Sequence, residues 1–344
     1  MAEYAASKRL LHWYAIFVAA SVLVLICSGG LVTSHGAGMA VPDWPNSFGY
    51  NMFLFPVSRW VGDVFFEHTH RLIASGVGLL TIALCVLTVI IEDRLWVKWL
   101  TGIAVIAVMV QGVLGGLRVT EHNAVLGLFH GCLAQGFFAI VATVALVTSR
   151  FWRRIKQAPN ECDIRSLRFW TIIVTAMLFI QLVLGASMRH SHTGLSIPDF
   201  PTAYGRIFPP LDAASIARIN EARIATQASI SSDLILLQYI HRVWAVLIVV
   251  GLTSVAIRIL RRRQLAAPVR SIAGFWIVLV FVQFALGAWT VWSNKAADIA
   301  TSHVFVGALS FVSGVLLSVI LSAMLSPPSR EDSVGSTERE VARA

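Results

Sequence analysis

Four of the ten histidines stand out by position: His70, His130, His241 and His303 each lie a few residues inside a long apolar stretch. An ionisable side chain at membrane depth is costly and usually functional. One such histidine alone reads most simply as a hydrogen-bond partner for a neighbouring helix. Four in two matched pairs point further, because neutral imidazoles facing across a helix bundle are a common arrangement for axial ligation of haem iron. Bare metal ions fit less well, since zinc sites take more protein ligands each. Of the remaining histidines, His68 is two residues from His70 and so points to another helix face. His12 opens the first apolar stretch, and His35, His122, His190 and His192 fall between stretches.

The elements that must position these residues are membrane spans. The chain has 344 residues, of which 57% are hydrophobic and 13% charged, against roughly 25% charged in a soluble domain. About 20 apolar residues cross a bilayer as a helix, and eight such spans are read at 11–33, 66–91, 97–117, 124–148, 169–188, 234–258, 271–291 and 299–324. Backbone groups in lipid must be satisfied internally, so the spans are helices. With 1.5 Å rise per residue, the four histidines sit on the order of 6–10 Å below the outer boundary. Spans two and four run in one direction, as do six and eight, so each pair lies at one depth.

The chain also repeats itself. Gly38, Pro42, Asp43, Trp44, Pro45, Phe48 and Gly49 after the first span recur as Gly194, Pro198, Asp199, Phe200, Pro201, Tyr204 and Gly205 after the fifth. Glu67-His68-Thr69-His70-Arg71 opens the second span and Gln238-Tyr239-Ile240-His241-Arg242 the sixth. Gln111 and Gly115 match Gln283 and Gly287, and His130 matches His303. Four spans per copy give both copies the same orientation, which predicts two four-helix bundles related by a pseudo-two-fold axis along the membrane normal. The expected fold is an all-α polytopic membrane protein. Residues 1–160 form the first bundle, 161–326 the second, and 327–344 a disordered cytoplasmic tail. The stretch 211–232, with Ile216, Ile219 and Ile224, predicts a short amphipathic helix over the second bundle.

The copies differ where it matters chemically. Glu67 stands where Gln238 stands in the second copy, three residues before the histidine and on its helix face. Such a carboxyl can relay protons or stabilise developing positive charge, or it can pair with Arg71 one turn on. Arg71 and Arg242 could meet haem propionates or reach to water.

The net charge of +9 does not indicate nucleic acid, because Lys8, Arg9, Arg94, Lys98, Arg150, Arg153, Arg154, Lys156 and Arg261 to Arg263 all fall on one side. The positive-inside rule then places both termini in the cytoplasm of a multi-pass cell (inner) membrane protein. No small-residue cleavage site follows the first span, so it is not read as a removed signal. Cys27, Cys85 and Cys132 lie in spans and Cys162 in a cytoplasmic loop. No CxxC occurs, which supports neither a thiol redox centre nor a zinc site.

In this order, the G-x-x-x-P-D-W-P loop, the E-x-T-H-R opening of the second span and the later His130, His241 and His303 resemble the haem A synthase family over residues 11–324. The resemblance implies oxidation of the C8 methyl of haem O to a formyl group by two hydroxylations and loss of water, giving haem A for terminal oxidases. It implies His70 and His130 around the substrate haem O, Glu67 as catalytic, and haem b held by His241 and His303. Some members carry a cysteine pair in the first outer loop, which this chain lacks. The electron donor or acceptor is left open, and haem O synthase and a second copy of the chain are candidate partners. Two axial histidines leave an iron no open position, so either one histidine dissociates or water supplies the oxygen. Two other readings use the same residues: a dihaem quinone oxidoreductase, disfavoured by ligands all toward one side, and a non-enzymatic haem carrier or oxidase assembly factor.

The topology has a direct check. A membrane-impermeant maleimide should label Cys162 only after cells are opened, and labelling of intact cells would reverse the orientation.

Overall fold

The computed structural model describes residues 2–155, 161–191, 193–223 and 229–325. Nine helices make up the described chain: α1 (Ala2–Ser34), α2 (Asp63–Ile91), α3 (Leu95–Thr120), α4 (Ala124–Val147), α5 (Glu161–His190), α6 (Ala213–Glu221), α7 (Ser232–Arg261), α8 (Ala267–Trp292) and α9 (Ala297–Ala323). All but α6 are long and apolar enough to cross a membrane. Most run beyond the apolar limits read from sequence, α1 by nine residues at its start. The reason is that helical hydrogen bonding continues past the lipid boundary, whereas an apolar criterion stops there. Cys162 accordingly lies in the first turn of α5 and not in a loop.

Neighbour relations divide the helices into two rings. In the first, α1 packs on α2, α2 on α3, α3 on α4, and α4 back on α1. In the second, α5 packs on α7, α7 on α8, α8 on α9, and α9 on α5. The rings meet along α4 and α9, with α1 touching α9 and α4 touching α5. Burial follows this plan. The seam helix α9 buries Val306, Gly307, Ala308, Phe311, Val312, Gly314 and Leu317, while α4 buries Phe137, Phe138, Val141, Ala142 and Ala145. Small residues there let helices approach closely, which is how helices associate in a solvent as apolar as themselves. Leu79, Ile90, Ile106, Met109 and Val250 are mostly exposed and face outward, as lipid-facing positions do.

The repeated loops after α1 and α5 fold alike for a common reason. Asp43 accepts the backbone N–H groups of Phe48 (2.7 Å) and Gly49 (2.7 Å). Asp199 accepts those of Tyr204 (2.7 Å) and Gly205 (2.8 Å), and the Thr202 hydroxyl as well. Phe48–Gly49 and Tyr204–Gly205 all have positive φ, the conformation of a tight hairpin turn, and short bridges Ser47–Tyr50 and Ala203–Arg206 close the two hairpins. The amphipathic helix read at 211–232 is α6, shorter than the stretch. Asp212 caps it at Ser215, and Ile216 and Ile219 pack on Ile197, Ala203, Ile230 and Ile235. Ile224, His192 and the tail from 327 lie outside the described residues.

Burial works against ionisation of Asp43, but the N–H groups of Gly49 and Phe48 and the nearby Arg71 hold its carboxyl below the ordinary range. A carboxyl with a depressed folded pKa contributes stability above its unfolded value and loses it as pH falls through the folded one. Asp43→Ala should therefore lower thermal stability in detergent near neutral pH by about 1–2 kcal/mol. The gap from the native protein should shrink on acidification, and a gap independent of pH would remove the carboxylate from this account.

Candidate functional site

The four histidines come together as two pairs near the ends of the rings that carry the repeated loops, His70 with His130 and His241 with His303. Each lies in the first three turns of its helix, α2, α4, α7 and α9. Each ring rests on a glycine of the adjacent helix. A Cβ on Gly29 of α1 would stand 3.0 Å from the His70 ring; on Gly115 of α3, 3.2 Å from His130; on Gly185 of α5, 3.2 Å from His241; on Gly287 of α8, 3.2 Å from His303. Those separations are tighter than ordinary van der Waals contact, so the imidazoles occupy space that any side chain would take.

Glutamines brace three of the four. Gln111 donates to the His130 carbonyl (3.0 Å), and the His130 Nδ1 lies 3.2 Å from the Gln111 carbonyl. Gln181 donates to the His241 carbonyl (3.0 Å) and lies 3.2 Å from its Nε2; Gln283 lies 3.3 Å from the His303 Nε2. All three precede their glycine by one helical turn. In α1 that position is Leu25, so His70 has the glycine without the glutamine. The Nδ1 atoms of His70, His241 and His303 are buried with no hydrogen-bond partner. A buried polar atom without a partner calls for a ligand or water.

These features suit a haem. Each pair offers two imidazoles, and a porphyrin supplies the remaining four nitrogens of a six-coordinate iron. Among the described residues, no three His, Cys, Asp or Glu side chains gather as a cluster able to hold a metal ion by themselves.

Glu67 and Gln238 do the same structural work in the two halves. Glu67, 4% exposed, accepts the Val41 N–H (3.0 Å); Gln238, 1% exposed, accepts the Ile197 N–H (2.6 Å). Each thus pins the repeated loop of its half two residues before the aspartate. The second Glu67 oxygen takes the Arg71 guanidinium (2.7 Å), whereas Gln238 donates to the carbonyls of Gly194 (3.0 Å) and Ile197 (3.3 Å). The ion pair one turn apart is therefore formed, and the carboxylate is held rigidly on the face it shares with His70.

Arg71 and Arg242 point into the loops. Arg71 donates to the carbonyls of Asp43 (2.6 Å), Asn46 (3.1 Å) and Val41 (2.8 Å). Arg242 donates to Asp199 (2.8 Å), Thr202 (3.0 Å) and Ile197 (3.0 Å). His68, fully buried, meets the Ser47 hydroxyl at 3.1 Å and the rings of Phe55 and Trp60, so it fastens the first loop. The Trp44 indole lies on Gly116 of α3. His12 meets the Ala145 carbonyl (2.9 Å) at the opposite end, and His35 stacks on Phe66. His122 is the turn residue after α3, and His190 ends α5 beside Gly127. Sequence reasoning did not find Gly29, Gly185, Gln181, Arg118 or Arg189. The signal for Gln181 and Gly185 was available in the Q-x-x-x-G spacing already seen twice.

Residues 12–315 match the family model described as cytochrome oxidase assembly protein, COX15-CtaA. The haem A synthase of Alkalihalophilus pseudofirmus is 24% identical over 319 residues, covering 92% of this chain and 98% of that protein. The haem A synthase of Geobacillus kaustophilus is 26% identical over 332 residues, 92% of each. That of Exiguobacterium sibiricum is 24% identical over 302 residues, covering 87% and 91%.

The glycine contacts are testable by themselves. Gly185→Ala or Gly287→Ala must displace its histidine by a few tenths of an ångström, at an overpacking cost of about 1–3 kcal/mol. Purified variants should hold less haem per protein and show a weakened bis-histidine absorption spectrum. Native haem content and spectrum in both would mean the glycines are not spacers for the rings.

Proposed function

The chain belongs to the COX15-CtaA family of cytochrome oxidase assembly proteins, and from that premise we propose that it is a haem A synthase, an oxidoreductase converting the C8 methyl of haem O to a formyl group. The carrying observation is the doubled histidine pair, each ring seated on a glycine, with a carboxylate beside the pair in one half only. In this reading His70 and His130 flank the substrate haem O, and His241 and His303 ligate haem b. When bound, haem b supplies one-electron transfer. Relatives named haem A synthase, matched over nearly their whole length, support the assignment.

The protein's own contribution is placement and charge. The four glycines fix how far each imidazole projects into its ring of helices, and the glutamines hold the backbone of His130 and His241. Outward-facing apolar side chains on α2 and α3 keep the first bundle in lipid, where a substrate with a farnesyl tail resides. Each hydroxylation replaces one C–H bond of the methyl carbon by a C–O bond; with water as the oxygen source, two electrons pass to an electron acceptor and two protons are released. Glu67, fixed between the Val41 amide and the Arg71 guanidinium, presents carboxylate oxygens on the His70 face to receive such a proton or to stabilise positive charge. The second half keeps the same loop contact with a neutral Gln238, as a site that only passes electrons requires no base.

That equivalence supplies the experiment. Glu67→Gln copies the natural second half, so the first loop should stay pinned and haem B content should match the native protein. Conversion of haem O, followed by acid extraction and mass spectrometry, should fall by roughly 10²-fold or more. Undiminished haem A with the Glu67→Gln protein would reduce Glu67 to a loop anchor. Haem B as the sole extractable haem, from cells that also make haem O, would overturn the synthase assignment itself.

A further inference from the structure

The outer ends of the rings carry four arginines near the histidine pairs, and three have partners. Arg71 and Arg242 are taken up by loop carbonyls, and Arg189 at the end of α5 crosses to α1, donating to the Gly30 carbonyl (2.7 Å) and the Ser34 hydroxyl (2.5 Å). Arg118, in the last turn of α3, is half-buried and makes no hydrogen bond or ion pair among the described residues. Its guanidinium packs in a slot between Gly38 of the first outer loop and Gly127 of α4. A Cβ at Gly127 would come 3.1 Å from its Nε, and one at Gly38 would collide with its terminal nitrogens. Arg118 lies within electrostatic reach of Glu67, His70 and His130. An unpaired guanidinium held this way at a membrane boundary is costly unless an anion completes it.

The residue belongs to one half only. The second-half equivalent of Arg118 is Thr290, whose hydroxyl is spent on the Leu286 carbonyl of its own helix (2.8 Å). The first-half equivalent of Arg189 is Thr33, spent likewise on Gly29 (2.8 Å). So the cation without a partner stands beside the histidine pair that also has the carboxylate.

We infer that Arg118 is the carboxylate anchor of the first bundle, receiving a propionate of the porphyrin that His70 and His130 flank, and that it sets the in-plane orientation of that substrate. The inference rests on the haem A synthase reading. Its physical basis is that two axial imidazoles fix the plane of a macrocycle but leave it free to rotate about the iron–nitrogen axis. A planar fork of N–H donors at one edge removes that freedom, because guanidinium and carboxylate pair in a bidentate geometry. Arg118 lies nearer the outer boundary than the histidines, which turns the carboxylate edge toward water. One propionate and Glu67 would then balance Arg71 and Arg118, and the second propionate, on the same edge of the macrocycle, would face water.

The test compares haem O with its dimethyl ester, which cannot form the ion pair. Both are titrated into detergent-purified native protein, Arg118→Gln and Arg118→Lys, with binding followed in the Soret region and haem B content as the check on folding. The native protein should prefer the free acid by about ten- to a hundredfold. Arg118→Gln should bind both forms with equal, ester-like affinity, and Arg118→Lys should fall between. Native protein that binds haem O but ignores esterification overturns the anchor alone, as does Arg118→Gln that retains native preference. Native protein that takes up no haem O overturns the synthase reading and the anchor with it.

Discussion

An imidazole lying on a bare glycine of the next helix governs the geometry of both halves. The contact recurs four times, at Gly29, Gly115, Gly185 and Gly287, with nearly the same closeness. It ties α1 to α2, α3 to α4, α5 to α7 and α8 to α9, so each histidine pair is approached from two opposite walls of its ring. Lipid gives no hydrophobic gain for helices packing on one another, so close approach at small residues has to supply it. Here the same glycines that let the helices close also decide where the ring nitrogens stand. Architecture and ligand geometry are thus one constraint, and a residue that loosened either would loosen both.

The second tier of the structure is the repeated hairpin, and it depends on the first. His70 and His241 are fixed by their glycines, which fixes the turn of α2 and α7 from which Glu67, Arg71, Gln238 and Arg242 project. Those four side chains reach back to the backbone of the preceding loop at equivalent places. The aspartates then organise the far side of each loop around their own turns. The loop lies on the histidine helix because a buried polar side chain one turn before the histidine needs a partner, and an unpaired loop amide provides it.

Much of this was legible in the chain. The spans, the duplication and the four histidines follow from apolar run length and from motifs such as Pro42-Asp43-Trp44-Pro45. Gly29 was hidden because Ser28-Gly29-Gly30 in an apolar helix looks like any small-residue stretch, and only the ring lying on it distinguishes it. For Arg71 and Arg242 the sequence offered haem propionates or water as partners, because nothing in their spacing shows that the preceding loop folds back over them. Arg118 and Arg189 drew no reading from the sequence, because which of them has a partner depends on contacts between helices far apart in the chain, such as that of Arg189 with Gly30 and Ser34. Helix ends differed for a simpler reason: apolarity marks where lipid stops, not where hydrogen bonding does.

Glutamate and glutamine are nearly the same shape, and at positions 67 and 238 they make the same bond to the same kind of loop amide. A duplicated protein usually has difficulty specialising one copy, because a change that alters chemistry also disturbs the fold both copies share. Here one atom's exchange, oxygen for nitrogen, changes the charge beside a histidine while the hairpin above it keeps its anchor. The two halves can therefore differ in charge at this position without differing in how the loop is held, and the Gln238 copy stands in the same chain as an internal reference for the Glu67 one.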